Sequence, residues 1–155
     1  MAVVAACFSL THCRCLNSGS RCSDSHVTRL IKPVSSRLQR LSLAGTKVRG
    51  SMLPSCTSLR HLDLDACIMV SAKVIATCLG RCAGGLEVLR LAHTQVTTNQ
   101  FMALPAFTSL TEVRLSHCPF INGNVMDVLL RTSLRLKHLE IADCPRVAFI
   151  DQGAT

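Results

Sequence analysis

The chain has 155 residues, of which 48% are hydrophobic and 17% charged, so it can bury the core of one domain. Only 3% are aromatic, with no Trp or Tyr, which disfavours binding surfaces built on aromatic anchors or base stacking. The formal net charge is +8, half of it carried by the first 37 residues, and no apolar run reaches the roughly 18 residues that a membrane span needs.

Five segments share a nine-residue pattern, Leu-x-x-Leu-x-Leu followed by a turn that ends in Cys or Thr. The alternation predicts a short strand that is buried on one face. The first leucines lie 21, 27, 24 and 26 residues apart, a spacing typical of leucine-rich repeats, whose units bury their apolar sides by stacking. The segments begin at Leu38, Leu59, Leu86, Leu110 and Leu136.

The predicted fold class is therefore α/β, a leucine-rich repeat solenoid with five clear repeats. It is a curved array of short parallel strands, with helical or loop returns on the convex side. We expect an N-terminal segment at 1–37, the repeat domain at 38–147 and a C-terminal tail at 148–155. Neither end carries a polar cap, so an exposed apolar end is also expected.

Residues 1–37 are predicted to form a sixth, degenerate repeat or a partly disordered start. Leu10–Ser18 fits the strand pattern if Cys13 and Cys15 replace leucines. Val27–Val34 has the apolar spacing of a returning helix and lies at the expected distance from the next strand.

The returns between the later strands differ in length. Apolar spacing predicts helices over Ser71–Cys82 and Asn124–Arg131, the second capped by the side chain of Asn124. The return Thr98–Ala106 is shorter and is ended by a proline. Arg49–Ser58 also contains a proline and is predicted to be a loop or a single turn.

The ten cysteines follow the repeat. Cys67, Cys118 and Cys144 occupy the ninth position, where Thr46 and Thr94 stand in other units, and three equivalent cysteines cannot all pair with each other. We therefore predict reduced thiols in an intracellular protein of the cytoplasm or nucleus. Mitochondrial import is the alternative, because the first 37 residues contain Arg and Ser and are nearly free of acid.

The cysteine form of the motif resembles the leucine-rich repeats of F-box substrate receptors and of ribonuclease-inhibitor-like proteins. The resemblance covers roughly residues 38–147. It implies protein binding on the concave sheet and, for the F-box branch, substrate recognition with a ubiquitin-ligase adaptor as partner. Residues 1–37 do not look like an F-box. The motifs that carry the resemblance are Cys56-x-x-Leu59-x-x-Leu62-x-Leu64-x-x-Cys67 and Leu136-x-x-Leu139-x-Ile141-x-x-Cys144-Pro145.

Residues that alternate with the leucines are predicted to point to the concave surface. Across adjacent strands, Asp63 is expected to pair with Arg90, and Glu140 with Arg114, as a self-neutralising ladder or as a recognition stripe. The face carries a net charge of −1 with neutral histidines, which disfavours nucleic acid. The predicted partner-binding residues are His61, Asp63, Asp65, Arg90, Glu112, Arg114, His138 and Glu140.

A metal or redox site is the alternative from another class. The N-terminal soft ligands lack the paired Cys-x-x-Cys spacing of a zinc knuckle, so no metal and no cofactor are predicted. Cys78 and Cys82 are predicted to be core and edge residues rather than a redox pair. The N-terminal ligands are His12, Cys13, Cys15, Cys22 and His26.

The predicted function is a non-catalytic protein-protein interaction module. The chain has no nucleotide-binding loop, dinucleotide fingerprint or hydrolase motif, so the sequence predicts no enzyme. The first alternative is the substrate-recognition part of an F-box-type ubiquitin ligase receptor. Neither nucleic acid nor a membrane is an expected partner.

Overall fold

The computed structural model describes residues 11–15 and 23–147 and shows, within these ranges, an α/β solenoid arrangement. The strands are β1 His12–Arg14, β2 Arg40–Ser42, β3 His61–Asp63, β4 Val88–Arg90, β5 Glu112–Arg114 and β6 His138–Glu140. The α-helices are α1 Asp24–Ile31, α2 Ala72–Cys82, α3 Thr98–Met102 and α4 Asn124–Thr132. None of the described helices has the length and apolar composition needed to cross a membrane.

The six strands form one open parallel sheet in chain order, β1 to β6. Their central residues pair across the sheet: Cys13, Leu41, Leu62, Leu89, Val113 and Leu139. The strands β2 to β6 lie at the five predicted motifs. Strand β1 lies in the predicted degenerate segment, of which Leu10 and residues 16–18 are outside the described residues.

The core consists of the repeat leucines, as the sequence predicted. Leu41, Leu62 and Leu89 are at most 1% exposed. Burying each such side chain contributes about 1.5–3 kcal/mol to the free energy of folding. The apolar side chains of the last unit are less buried, because β6 is the last strand of the described sheet. Leu139 is only partly buried, and Leu134 is 89% exposed. The predicted tail, 148–155, lies outside the described residues.

One residue after each of β2 to β6 adopts a left-handed backbone conformation. The residues are Gly45, Ala66, His93, His117 and Asp143, with φ between 52° and 69°. A non-glycine residue in this region costs about 1–2 kcal/mol. The first four each donate their N–H, at 2.8 or 2.9 Å, to a backbone carbonyl of the next unit, which holds the turn.

The cysteines of the ninth position lie buried in the core and donate hydrogen bonds. The Sγ atoms of Cys67, Cys118 and Cys144 lie 2.9, 3.2 and 3.0 Å from backbone carbonyls of the preceding unit. Thr94 Oγ1 also donates to a backbone carbonyl, but to one in its own unit. The position therefore requires a small buried donor, which both Cys and Thr provide. The cysteine acceptors are the carbonyls of Leu43, Leu91 and Leu115.

The predicted helices α2 and α4 are present, but the predicted cap of α4 is wrong. Ser71 Oγ accepts the N–H of Val74 and starts α2. In α4, Gly123 is the N-terminal cap residue and Asn124 is the first helical residue. The N–H of Asn124 donates to Asn122 Oδ1, so the neighbouring asparagine provides the side-chain acceptor.

The shorter returns also have the predicted forms. The return that begins at Thr98 forms only the short helix α3, and the return Arg49–Ser58 contains one 3-10 turn at Leu53–Ser55. Upstream, α1 continues into a 3-10 helix at Lys32–Arg37, and it begins before the predicted Val27 because Ser23 Oγ accepts the N–H of His26.

Candidate functional site

The sheet has one face against the core and one open to solvent, which we call the open sheet face. On each strand, the residues on either side of the central residue are exposed or partly exposed. The open sheet face includes all eight predicted partner-binding residues, on β3 to β6 and in the turn after β3. Its strand residues are His12, Arg14, Arg40, Ser42, His61, Asp63, Val88, Arg90, Glu112, Arg114, His138 and Glu140.

Arg114 holds the central charge network of this face. Its Nε donates to Glu140 Oε2 at 2.8 Å, which is the predicted pair, and its Nη1 donates to Asp65 Oδ2 at 3.2 Å. These hydrogen bonds raise the pKa of Arg114 above its ordinary value, the Glu140 bond more than the Asp65 bond. The hydroxyl of Ser116 and then Arg114 hold the pKa of Glu140 below its ordinary value.

The predicted pair of Asp63 with Arg90 is wrong. Arg90 instead donates to Glu112, with both Nε and Nη2 2.8 Å from Oε1. Asp63 accepts from Ser42 Oγ at 2.9 Å and from the N–H of Asp65 at 3.1 Å. Arg90 thus pairs with the carboxylate on β5 rather than with the one on β3.

Asp65 is the most enclosed carboxylate of the network. Its side chain is 20% exposed, and Oδ1 accepts the N–H of Ala92 at 2.7 Å. Burial raises the pKa of Asp65 above its ordinary value, and the charge of Asp63 adds to this, against the hydrogen bonds from Ala92 and Arg114. Asp65 is therefore the carboxylate of this face whose pKa should depend most on its cation, Arg114.

The position two residues after the end of a strand, where Asp65 follows β3, is buried after β4 and β5. Ala92 and Ser116 are 5% and 4% exposed, so they lie beneath the longer side chains rather than on the surface. Ser116 Oγ donates to Glu140 Oε1 at 3.0 Å and accepts the N–H of Ala142 at 3.2 Å. Ser116 thus positions Glu140.

A further charged group was missed by the sequence analysis. Arg60 Nη1 lies 2.7 Å from Glu87 Oε1, and His61 Nε2 lies 3.5 Å from Glu87 Oε2. The Arg60 hydrogen bond holds the pKa of Glu87 below its ordinary value. Burial, followed by the charge of Arg40, lowers the pKa of His61. Arg60 and Glu87 both follow the first leucine of their repeats, a position that the alternating pattern did not assign to this face.

An open depression of about 550 Å³ lies on the open sheet face at β5 and β6. Arg114 and Glu140 form part of its wall, and Lys137 adds a positive charge outside the predicted set. The full lining is Glu112, Val113, Arg114, Lys137, His138, Leu139 and Glu140.

The cysteines and histidines weighed as metal ligands are spread over two elements. His12 and Cys13 lie on β1, Cys15 follows it, and His26 lies in α1 with Nδ1 2.7 Å from Ser23 Oγ. Cys22 is outside the described residues. In the part of the chain that the structure describes, no three Cys, His, Asp or Glu side chains are placed to hold a metal ion.

Cys78 and Cys82, predicted to be core and edge residues, both lie in the core, together with Cys56. All three are at most 3% exposed. Burial raises the pKa of the Cys56 thiol to about 11, and the hydrogen bond with Cys82 raises the pKa of Cys78. Cys56 and Cys78 are therefore protonated at neutral pH. Cys56, Cys67, Cys78, Cys82, Cys118 and Cys144 are free thiols.

The fold matches a chain in the crystal structure of the Rad7 and Elc1 complex in yeast, with a TM-score of 0.63. This likeness supports a leucine-rich-repeat-like fold. The two chains are 16% identical, and the match covers 86% of this chain and 44% of the other, so this chain spans less than half the length of the matched one. No family model and no curated protein matches the sequence.

Proposed function

We propose that this protein is a non-catalytic protein-protein interaction module that binds a partner protein through the open sheet face. The observation that carries the proposal is the row of charged and polar side chains across six adjacent strands, none of which the hydrophobic core uses. Strands hold such side chains at fixed spacing, which suits them to recognition.

The ion pairs of this face add little to folding stability. Arg90, Arg114 and Glu140 have side chains that are 39%, 37% and 52% exposed, and exposed pairs contribute at most about 1 kcal/mol each. A partner can therefore engage these groups without unfolding the domain.

The non-catalytic part of the proposal is supported by the form of the site. The depression at β5 and β6 is open to solvent, whereas catalysis needs a site that positions and encloses the reacting atoms. The matched chain comes from a complex of two proteins, which supports protein association for this fold.

A second candidate is the substrate-recognition part of an F-box-type ubiquitin ligase receptor. It is favoured by the cysteine form of the repeat, seen in Cys67, Cys118 and Cys144, together with the likeness to a chain of the Rad7 and Elc1 complex. A ligase adaptor that co-purifies with the protein would promote this candidate.

The test is affinity capture from the native lysate with mass spectrometry, comparing the intact chain with the double variant Arg90→Ala/Arg114→Ala. A matched control, Lys73→Ala/Arg81→Ala, removes the same charge from exposed positions of α2. We expect specific partners to be lost with the first variant and retained with the control. Full capture by Arg90→Ala/Arg114→Ala, with an unchanged circular dichroism spectrum, would overturn the proposal.

A further inference from the structure

The charges of the open sheet face are divided between its two halves. From β3 to β6, the arginines are paired with carboxylates: Arg90 with Glu112, and Arg114 with Asp65 and Glu140. On β1 and β2, Arg14 and Arg40 are exposed, and among residues 11–15 and 23–147 no carboxylate oxygen lies within 4.0 Å of either guanidinium group.

The parallel register brings these basic groups together. His12 pairs with Arg40 across the sheet, Arg40 pairs with His61, and Arg14 lies opposite Ser42. Neighbouring strands are about 4.8 Å apart, so the backbone positions of His12, Arg40 and His61 span only about 10 Å. We call His12, Arg14 and Arg40 the β1–β2 basic patch.

The carboxylates on the adjoining strands already have donors. Asp63 accepts from Ser42 Oγ and from the N–H of Asp65, and Glu87 accepts from Arg60 and lies beside His61. Burial and then the charge of Arg40 lower the pKa of His61, which lies opposite Arg40 in the sheet. Asp63 keeps its negative charge, because both of its donors are neutral, but none of the described carboxylates lies within 4.0 Å of the Arg14 or Arg40 guanidinium group, so the patch itself is positive.

We propose that the β1–β2 basic patch binds an acidic, carboxylate-rich segment of the partner protein; this inference rests on the proposed function. Each guanidinium group is planar and presents paired N–H donors that fit both oxygens of one carboxylate. Charge complementarity of this kind fixes the orientation of a partner and raises its association rate. The partner's acidic segment therefore lies over β1 and β2, and the following, non-acidic chain runs toward β6 over a surface on which carboxylates outnumber arginines.

A peptide is favoured over nucleic acid by the groups that border the patch. A nucleic acid carries a negative charge at every phosphate, and one that followed the sheet beyond β2 would meet Asp63, Asp65, Glu112 and Glu140. A short acidic segment followed by uncharged or basic residues avoids this repulsion.

The test is fluorescence anisotropy with a fluorescein-labelled glutamate-rich octapeptide, its glutamine counterpart and an oligothymidylate of the same length. The protein is the full chain. We expect the glutamate peptide to bind more tightly than the glutamine peptide, with an affinity that falls as salt is added. In Arg14→Ala/Arg40→Ala, binding of the glutamate peptide should weaken about tenfold, the equivalent of about 1.4 kcal/mol. The control Lys73→Ala/Arg81→Ala should bind like the intact chain.

Equal binding of the two peptides, or unchanged binding in Arg14→Ala/Arg40→Ala, would overturn the inference. Tighter binding of oligothymidylate that is lost in the same variant would assign the patch to nucleic acid and would overturn it as well. If Arg90→Ala/Arg114→Ala loses its lysate partners while the peptides bind equally, only this inference fails. If that variant keeps its partners while the glutamate peptide is preferred, the proposed function fails instead.

Discussion

Arg114 Nη1 lies 3.2 Å from Asp65 Oδ2, although the two residues are 49 positions apart in the chain. The contact reaches from β5 to the turn after β3 and passes over the intervening strand β4. Through its second bond, to Glu140, Arg114 connects three repeat units on the open sheet face. The side chain of Arg114 therefore links the central part of this face across repeat units.

The acid titrations of Asp65 and Glu140 should move in opposite directions from their ordinary values. Burial places the pKa of Asp65 above its ordinary 3.8, whereas the hydrogen bonds from Ser116 and Arg114 place that of Glu140 below its ordinary 4.5. Carboxyl carbon NMR across the acid range measures both midpoints. In Arg114→Ala, both should move upward, because the cation that stabilises each carboxylate is gone.

These shifts fix the sign of two contributions to the free energy of unfolding. Glu140 contributes stability that is present above its ordinary pKa and is lost as the pH falls through its lower folded value. Asp65 acts in the opposite sense: its contribution is present below its ordinary pKa and is lost as the pH rises through the folded value. An Asp65 midpoint at or below 3.8 would contradict the burial argument.

Replacing a central strand leucine should cost far more than replacing its neighbour on the open face. Leu89 is 0% exposed, so Leu89→Ala should lower the free energy of unfolding by about 2–5 kcal/mol through lost burial and a cavity. Val88 is partly exposed on the open sheet face, and Val88→Ala should cost less than about 1 kcal/mol. Urea denaturation measures both variants, and similar losses would show that the two faces are not distinct.

The buried thiol of Cys67 should be replaceable by threonine but not by alanine. Its Sγ donates to the Leu43 carbonyl at 2.9 Å, and threonine stands at the same repeat position at Thr46 and Thr94. Cys67→Ala removes the donor and leaves a gap, at a cost of about 1–3 kcal/mol in the free energy of unfolding. Cys67→Thr keeps a donor, so thermal unfolding should show a smaller loss. A larger loss for threonine than for alanine would refute the role of the donor.

Asp24 should anchor α1 to the return of the next unit. Its carboxylate accepts the backbone N–H groups of Arg49 and Gly50 at 3.0 and 2.8 Å and the hydroxyl of Ser51 at 2.8 Å. Asp24→Ala leaves these donors without their acceptor and should cost about 1–3 kcal/mol in chemical denaturation. The control Asp127→Ala, at an exposed position of α4, should remain within about 0.5 kcal/mol. Equal stability of the two variants would contradict the anchoring role.

The strands were predictable because each repeat unit buries one strand against the core, so the buried leucines recur along the sequence. Leu41, Leu62 and Leu89 recur with the period that one buried strand per unit requires, and the structure places each at the centre of its strand. The eight residues proposed for binding were placed on one face by the same alternation. The strand periodicity thus predicts which side chains share a surface.

Side-chain pairing was only partly predictable. Arg90 has carboxylates on both neighbouring strands, and the alternating pattern does not distinguish Glu112, its actual partner, from Asp63. The anchor at Asp24 joins residues 25 to 27 positions apart through two backbone N–H groups and the Ser51 hydroxyl, and these leave no pattern in the sequence. The local bond from the Asn124 N–H to Asn122 Oδ1, ahead of a helix whose N-terminal cap residue is Gly123, was equally hidden.

The most direct test of binding through the open sheet face is hydrogen-deuterium exchange of the intact chain, free and bound to the protein that it captures from its native lysate. The account predicts slower exchange on binding at residues 61–65, 88–92 and 112–116, with α2 and α4 unchanged. Protection confined to the helices, with no change in the strand segments, would contradict it.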